Sequence, residues 1–292
     1  MTLADAFPAI TRKNEVLAPY THLRIGGPAE YFIQPRTPAE LAAVLADCRK
    51  HSVPLRMLGG GFNLLVREDP IPGAVMQLQG DAFSFIRTDG KLVTAGGGTP
   101  LYDLIADTVR NGLGGLETLV GIRGSVGGSV RCNVGDRTGE IGASVRRVAV
   151  MTEQGMEQIR NRDELTFTDH KSDLDEPVIL WVEFELQKRT PAVLMNRLKK
   201  AWMLRKQHEP LSFQSSVRMF RNPAGANAGS VIDRAGLAKF KIGGAELSER
   251  NANYVVAQAG TTSKDILGLI ESVRTTVKDK TGINLDQELH VW

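Results

Sequence analysis

Glycine is the residue type whose spacing in this chain points most directly to chemistry. Thirty of the 292 residues are glycine, about one in ten where about 7% is usual. They gather at Gly59-Gly60-Gly61, at Gly96-Gly97-Gly98, at Gly112, Gly114 and Gly115, and at Gly121, Gly124, Gly127 and Gly128. Consecutive backbone N–H groups in such turns form a concave anion site, and a helix start adds partial positive charge. Several of these loops together imply a ligand with more than one phosphate, or a long dinucleotide. The short nucleotide motifs fail, however. Gly59-Gly60-Gly61-Phe62-Asn63-Leu64 breaks G-x-G-x-x-G at Leu64, and no G-x-x-x-x-G-K-[ST] occurs. Tight turns explain one cluster readily and four poorly.

The elements that carry these loops are legible. Residues 29–34 read as a strand stopped by Pro35. Thr37 reads as an N-cap, Pro38 as the first helical residue and Glu40 as the closing member of a capping box. Leu41, Val44, Leu45 and Cys48 then recur on one helical face. A second strand at 54–58 runs into Gly59, so the unit predicts parallel β-α-β pairing. Residues 81–190 are richer in strands, with a hairpin at Asp89-Gly90 and a helix over 101–109. Strands follow at 145–151, 157–159 and 178–186. Beyond 191 come helices over 193–206 and 262–280, the second with Asp265 in its first turn and Gly282 past its end. The expected division is 1–80, 81–190 and 191–292.

Composition excludes several classes. Apolar residues at 42% and charged residues at 24% support a packed core. A net charge of +3 is too small and scattered to argue for nucleic acid. No apolar run reaches the roughly 18 residues of a membrane helix, and the first residues lack a signal-peptide pattern. Cys48 and Cys132 make neither a disulfide framework nor a metal site, and are expected to be buried free thiols in a reducing cytoplasm.

An ordered series of segments resembles one family. It runs RIGGPAEYF (24–32), LGGGFNLLV (58–66), LETLVGIRGSVGGSV (116–130), N-x-G (133–135), GEIG (139–142), FRNPAG (220–225), AGSVIDRAGL (228–237), IGGAELSERNANYVV (242–256) and LDQEL (285–289). The order and spacing resemble the UDP-N-acetylenolpyruvoylglucosamine reductases, in their shorter subtype. The resemblance implies an α+β chain: a two-subdomain FAD-binding fold of the vanillyl-alcohol-oxidase type, then a C-terminal α/β substrate domain. It implies FAD as cofactor, NADPH as reductant and a UDP-sugar as small-molecule substrate. It further implies a cytoplasmic monomer or small oligomer working in peptidoglycan precursor synthesis, with no nucleic-acid or membrane partner. Cofactor contacts then fall to Arg24, Gly59, Gly60, Gly61, Phe62, Asn63, Leu64, Gly121, Gly124, Ser125, Gly127, Gly128, Asn133 and Gly135. Substrate contacts fall to Arg221, Asn222 and Glu246.

The resemblance also locates the chemistry, and there the chain departs from it. The family's glutamate falls on Glu288. Its proton-donating serine falls on Arg218, which stays protonated and is a very poor acid. Its arginine falls on His170, whose ordinary pKa suits proton transfer. Two readings stand for these positions: a swap, with Arg218 as cation and His170 as proton donor, or a decayed site in which His170 is an ordinary polar residue; Ser216 is a nearby hydroxyl two residues from position 218. Phe62 replaces a serine after the three glycines, so weaker flavin binding is expected. Two alternatives stand beside an active reductase: a flavin- or nucleotide-binding homologue without that activity, and an oxidoreductase of the same fold with another substrate.

Overall fold

Capping chemistry starts the long helices where the sequence indicates. The computed structural model describes residues 2–136, 138–210 and 215–292. Thr37 accepts the Glu40 amide at 3.1 Å at the head of helix Pro38–Lys50. The Glu40 carboxylate does not close the box on Thr37. It reaches one residue further, accepts the Arg36 amide at 2.7 Å and pairs with the Arg36 guanidinium at 2.8 Å. At helix Ser263–Thr281 the capping box between Thr262 and Asp265 is complete, and Gly282 ends the helix at φ 72°.

The chain forms two compact units. The first comprises Met1–Glu15, Ala29–Gly60 and Pro72–Met203. Its centre is an antiparallel five-stranded sheet, in the order Glu157–Asn161, Val145–Met151, Val178–Glu185, Leu92–Gly96, Ile86–Asp89. Both faces of this sheet are buried, which explains the nearly continuous apolar run VILWVEFE. Ile179, Val182 and Phe184 join one core cluster, and Val178 and Leu180 another. The parity changes within the strand because its register against Val145–Met151 slips: Ala149 pairs with Trp181 and Val150 with Ile179, skipping Leu180. One extra residue at such a bulge reverses which face later side chains occupy.

A second sheet runs in the order Thr11–Val16, Pro28–Ile33, Ile71–Met76, Leu55–Met57. The strands flanking helix Pro38–Lys50 are therefore not neighbours. Ile71–Met76 lies between them and makes the parallel pairing with Leu55–Met57. Cys48 is buried beneath this helix while Cys132 is half-buried, so the expectation of two buried thiols holds for the first.

The second unit comprises Val16–Pro28, Gly61–Ile71 and Leu204–Trp292. Its four-stranded sheet has the order Ser216–Arg218, Tyr254–Ala257, Ala245–Leu247, Lys241–Ile242. Val217, Val255, Ala245 and Leu247 point into a core with Val231, Ile232, Ile266, Ile270, Val273 and Val277 from helices Ala228–Arg234 and Ser263–Thr281. Strand alternation therefore sends Ser216, Arg218, Tyr254 and Glu246 to the other side.

The Asp265 carboxyl sits below its ordinary 3.8, first because it accepts the Thr262 amide. A depressed carboxyl contributes stability above its unfolded pKa that is lost as pH falls through the lowered folded value. Asp265→Asn should therefore lower the urea midpoint at neutral pH, and the deficit should shrink as pH falls and the Asp265 carboxyl of the parent takes up its proton.

Candidate active site

In the first unit, packing brings two of the glycine loops together. A Cβ on Gly59 would lie 3.1 Å from the Ser125 hydroxyl, and one on Gly128 3.3 Å from it. Among the described residues, the amides of Gly59, Gly60, Gly124 and Ser125 donate to no protein group. Glycine at 59 and unpaired amides on both sides leave a backbone-lined cradle that fits a phosphate-bearing cofactor. The short helix Val126–Arg131 adds shape rather than free donors. Its Val126, Gly127 and Gly128 amides bond Thr99 O at 2.8 Å, Gly97 O at 2.8 Å and Ser125 Oγ at 3.3 Å. Gly121 and Gly124 take φ of 90° and 143° in the loop before it.

The look-alike cluster Gly96-Gly97-Gly98 does something else. Its amides bond Phe85 O, Leu180 O and Phe83 O at 2.9, 2.7 and 2.8 Å. A Cβ on Gly97 would come 2.0 Å from Ile179 O, so these glycines let two backbones touch.

In the same unit, Asn133 bonds the hairpin that carries His170. Asn133 is fully buried at φ 41°. Its Nδ2 donates to Glu140 at 2.7 Å and to Thr168 O at 2.9 Å, and its Oδ1 accepts the Gly142 amide at 3.0 Å. Gly135 lies in the small hairpin that presents Glu140. Ser172 donates to Arg131 O at 2.8 Å, pinning the hairpin Phe167–Thr168/Lys171–Ser172. Asp169 and His170 form its tip, with His170 at φ 52° and its Nε2 3.8 Å from Asp169.

The second unit holds Arg218 and Glu288 face to face. Strand Ser216–Arg218 pairs with Tyr254–Ala257. On its other edge the chain returns: Glu288 N bonds Met219 O at 2.8 Å and Arg221 N bonds Asp286 O at 2.9 Å. Asn253 clamps the turn of this ladder, accepting the Phe220 amide at 3.0 Å and donating to Phe220 O at 2.7 Å. Arg218 Nε then stands 3.2 Å from Glu288 Oε2, with side-chain exposures of 23% and 15%. The contact is off hydrogen-bond alignment, and Glu288 Oε2 is buried with no hydrogen bond among the described residues. That oxygen faces the Arg218 charge without accepting an aligned hydrogen bond, so it can still accept one from a ligand.

The remaining sequence-predicted residues take varied places. Asn63 donates to Glu288 O at 3.1 Å and accepts the His290 amide at 3.2 Å, so it holds the glutamate's segment. Leu64 is buried in a two-residue strand paired with His290. The Phe62 ring packs against His22, with centroids 5.2 Å apart. Arg24, at φ 58°, donates to Pro19 O at 2.9 Å. A Cβ on Gly61 would strike Tyr20 O at 2.3 Å, so that glycine serves a close approach. Asn222 accepts the Ala228 amide at 3.0 Å, Arg221 is exposed, and Glu246 accepts from Gln258 at 2.5 Å. Sequence reasoning missed Tyr254, the direct cross-strand partner of Arg218. Burial, with Glu209 and Glu288, pushes its phenol well above the ordinary value, against Arg218 and Arg205. Its only sequence signal is the short β-type run Tyr254-Val255-Val256, and the pairing that makes it a neighbour of Arg218 is tertiary.

Comparison with known proteins assigns the class first. Residues 29–159 match the profile of an FAD binding domain, and residues 209–292 that of the UDP-N-acetylenolpyruvoylglucosamine reductase C-terminal domain. The α+β arrangement expected from the sequence, an FAD-binding fold followed by a C-terminal domain, is therefore present. The chain is 38% identical to the UDP-N-acetylenolpyruvoylglucosamine reductase of Heliobacterium modesticaldum, over 96% of this chain and 90% of that protein. It is 37% identical to that of Syntrophobacter fumaroxidans, over 95% and 82%. The crystal structure of the corresponding reductase from Thermus caldophilus superposes with a TM-score of 0.83 at 32% identity, covering 95% of this chain and 97% of the other. The chain belongs to the UDP-N-acetylenolpyruvoylglucosamine reductase family.

The cradle itself is open to test. Gly59 has room for a side chain except toward Ser125. Gly59→Val should fold with a midpoint within about 1 kcal/mol of the parent. It should take up FAD at least about tenfold more weakly, a loss of about 1.4 kcal/mol, in titrations of the flavin-stripped protein.

Proposed function

We propose that this chain is a working UDP-N-acetylenolpyruvoylglucosamine reductase, with NADPH as reductant and an enolpyruvyl UDP-sugar as substrate. The observation that carries the reading is the Arg218–Glu288 pair, with a buried, unsatisfied Glu288 Oε2 beside a fixed guanidinium. Bound FAD, once reduced by NADPH, supplies the hydride. The chain's own part is positioning and charge. The amides of Gly59, Gly60, Gly124 and Ser125 hold phosphate oxygens without competing side chains. Arg218 sits at the position where the resemblance expects a serine and takes over the cationic role that His170 lacks. Its fixed charge stabilises the negative charge that develops on the substrate carboxylate when the double bond accepts hydride. Glu288 keeps that guanidinium in place and offers Oε2 to a donor on the substrate or to the substrate's own acid form. Arg221 and Glu246 lie in the same unit, where a sugar diphosphate and its base need charge and hydrogen-bonding partners.

The test uses the purified, flavin-loaded protein. NADPH should bleach the visible flavin band, and the enolpyruvyl UDP-sugar should restore it in stopped flow. A flavin that stays reduced sinks the reading in favour of a binding homologue or another substrate. Glu288→Gln should slow reoxidation by about 10²-fold or more while reduction by NADPH keeps its rate, since losses of this size follow removal of a group acting on the reacting centre.

A further inference from the structure

The reduction must place one proton on carbon, and Arg218 does not deliver it, because a guanidinium holds its proton throughout the working range. The polar side of the second unit's sheet narrows the choice of hydroxyl. Ser216 shares that side but pairs with Val256, one two-residue step of about 7 Å along the strand from Arg218. Tyr254 lies directly across from Arg218, a relation that sets Cβ atoms about 5 Å apart. The phenol is also within the electrostatic reach of Glu288, Arg205 and Glu209. No other hydroxyl among the described residues pairs with position 218.

Resting on the reductase reading above, we propose that Tyr254 is the proton donor of the reduction, with Arg218, oriented by Glu288, holding the substrate carboxylate beside it. The balance is simple. The NADPH-derived hydride and its electron pair add to the terminal alkene carbon and break the double bond. The Tyr254 O–H bond breaks, a C–H bond forms at the carbon bearing the carboxylate, and water returns a proton to the phenolate. Arg218 offsets negative charge on the carboxylate before the transfer and on the phenolate after it. Burial keeps the phenol protonated until substrate arrives. A phenol is also intrinsically a stronger acid than the aliphatic hydroxyl that the resemblance expects at 218.

Tyr254→Phe, loaded with FAD and reduced by NADPH, is mixed with the enolpyruvyl UDP-sugar. Reoxidation should slow by about 10²-fold or more, with unchanged reduction by NADPH and unchanged substrate affinity. A rate within twofold of wild type overturns the proposal. So does a loss of the proton step in His170→Ala or Ser216→Ala while Tyr254→Phe keeps it. In D2O the wild-type product should carry deuterium on one face of the carboxylate-bearing carbon. Residual product from Tyr254→Phe should be scrambled there, and a single stereoisomer from that variant overturns the assignment. A fluorotyrosine placed at 254 keeps the ring and makes the phenol more acidic. Its fluorine resonance should move when the UDP-sugar binds the oxidised protein, and a resonance that stays in place overturns the proposal. Wild-type protein that accepts electrons from NADPH but is not reoxidised instead sinks the reductase reading, which keeps the two failures apart.

Discussion

A guanidinium and a carboxylate, both largely removed from water and 3.2 Å apart, set the terms for the C-terminal unit. Taking two charges out of water costs several kcal/mol each, and their attraction repays this only if the geometry is held. The fold holds it with backbone. Arg218 is fixed by pairing with Tyr254, and Glu288 by its amide on Met219 O. Asn253 closes the ladder with two side-chain hydrogen bonds that copy strand pairing. Asn63 fastens the glutamate's own carbonyl from a distant part of the chain. A slip of one residue would turn Arg218 into the apolar core and Val217 outward, so register and charge pairing enforce one another.

The first unit is governed by a different constraint, the competition among backbone amides. A glycine can open space for a ligand or bring two chains into contact, and one amide does not serve both purposes. At Gly96-Gly97-Gly98 the central sheet and its neighbours claim every donor. At Gly59 and Gly60 the strand Leu55–Met57 has ended, and among the described residues their amides have no acceptor. Ser125 separates the two situations. Its hydroxyl caps Val126–Arg131 through Gly128, its own amide has no acceptor among the described residues, and its side chain closes the cradle opposite Gly59.

This difference marks what was legible in the sequence. Helix boundaries with side-chain caps were readable, because Thr37, Thr262, Asp265 and Gly282 act within four residues of themselves. The order of motifs was readable as a resemblance, and with it the family and the FAD-binding region. The two triple-glycine clusters could not be told apart, because only tertiary pairing decides that the amides of Gly96, Gly97 and Gly98 are claimed and those of Gly59 and Gly60 are not, among the described residues. The β-α-β reading around Pro38–Lys50 missed the strand Ile71–Met76 inserted between its two strands. Asn133 was expected as a cofactor contact, and nothing local in sequence tells that its side chain bonds Glu140, Thr168 O and the Gly142 amide.

The same limit explains Tyr254. An enzyme that reduces a conjugated alkene needs a fixed positive charge near the carboxylate and a removable proton near the neighbouring carbon. One side chain does not provide both at neutral pH: a guanidinium is charged because it keeps its protons, and a hydroxyl gives up a proton without having stabilised charge. An arginine at position 218 therefore commits that position to charge, and under the proposal above the proton comes from another residue on the same side of the sheet. Read along the chain, residues 218 and 254 are unrelated. Across the strands they are opposite one another, which is the relation the proposal uses. The departure that looked like decay of a site in one dimension is, in three, compatible with a site whose two functions are divided between paired residues.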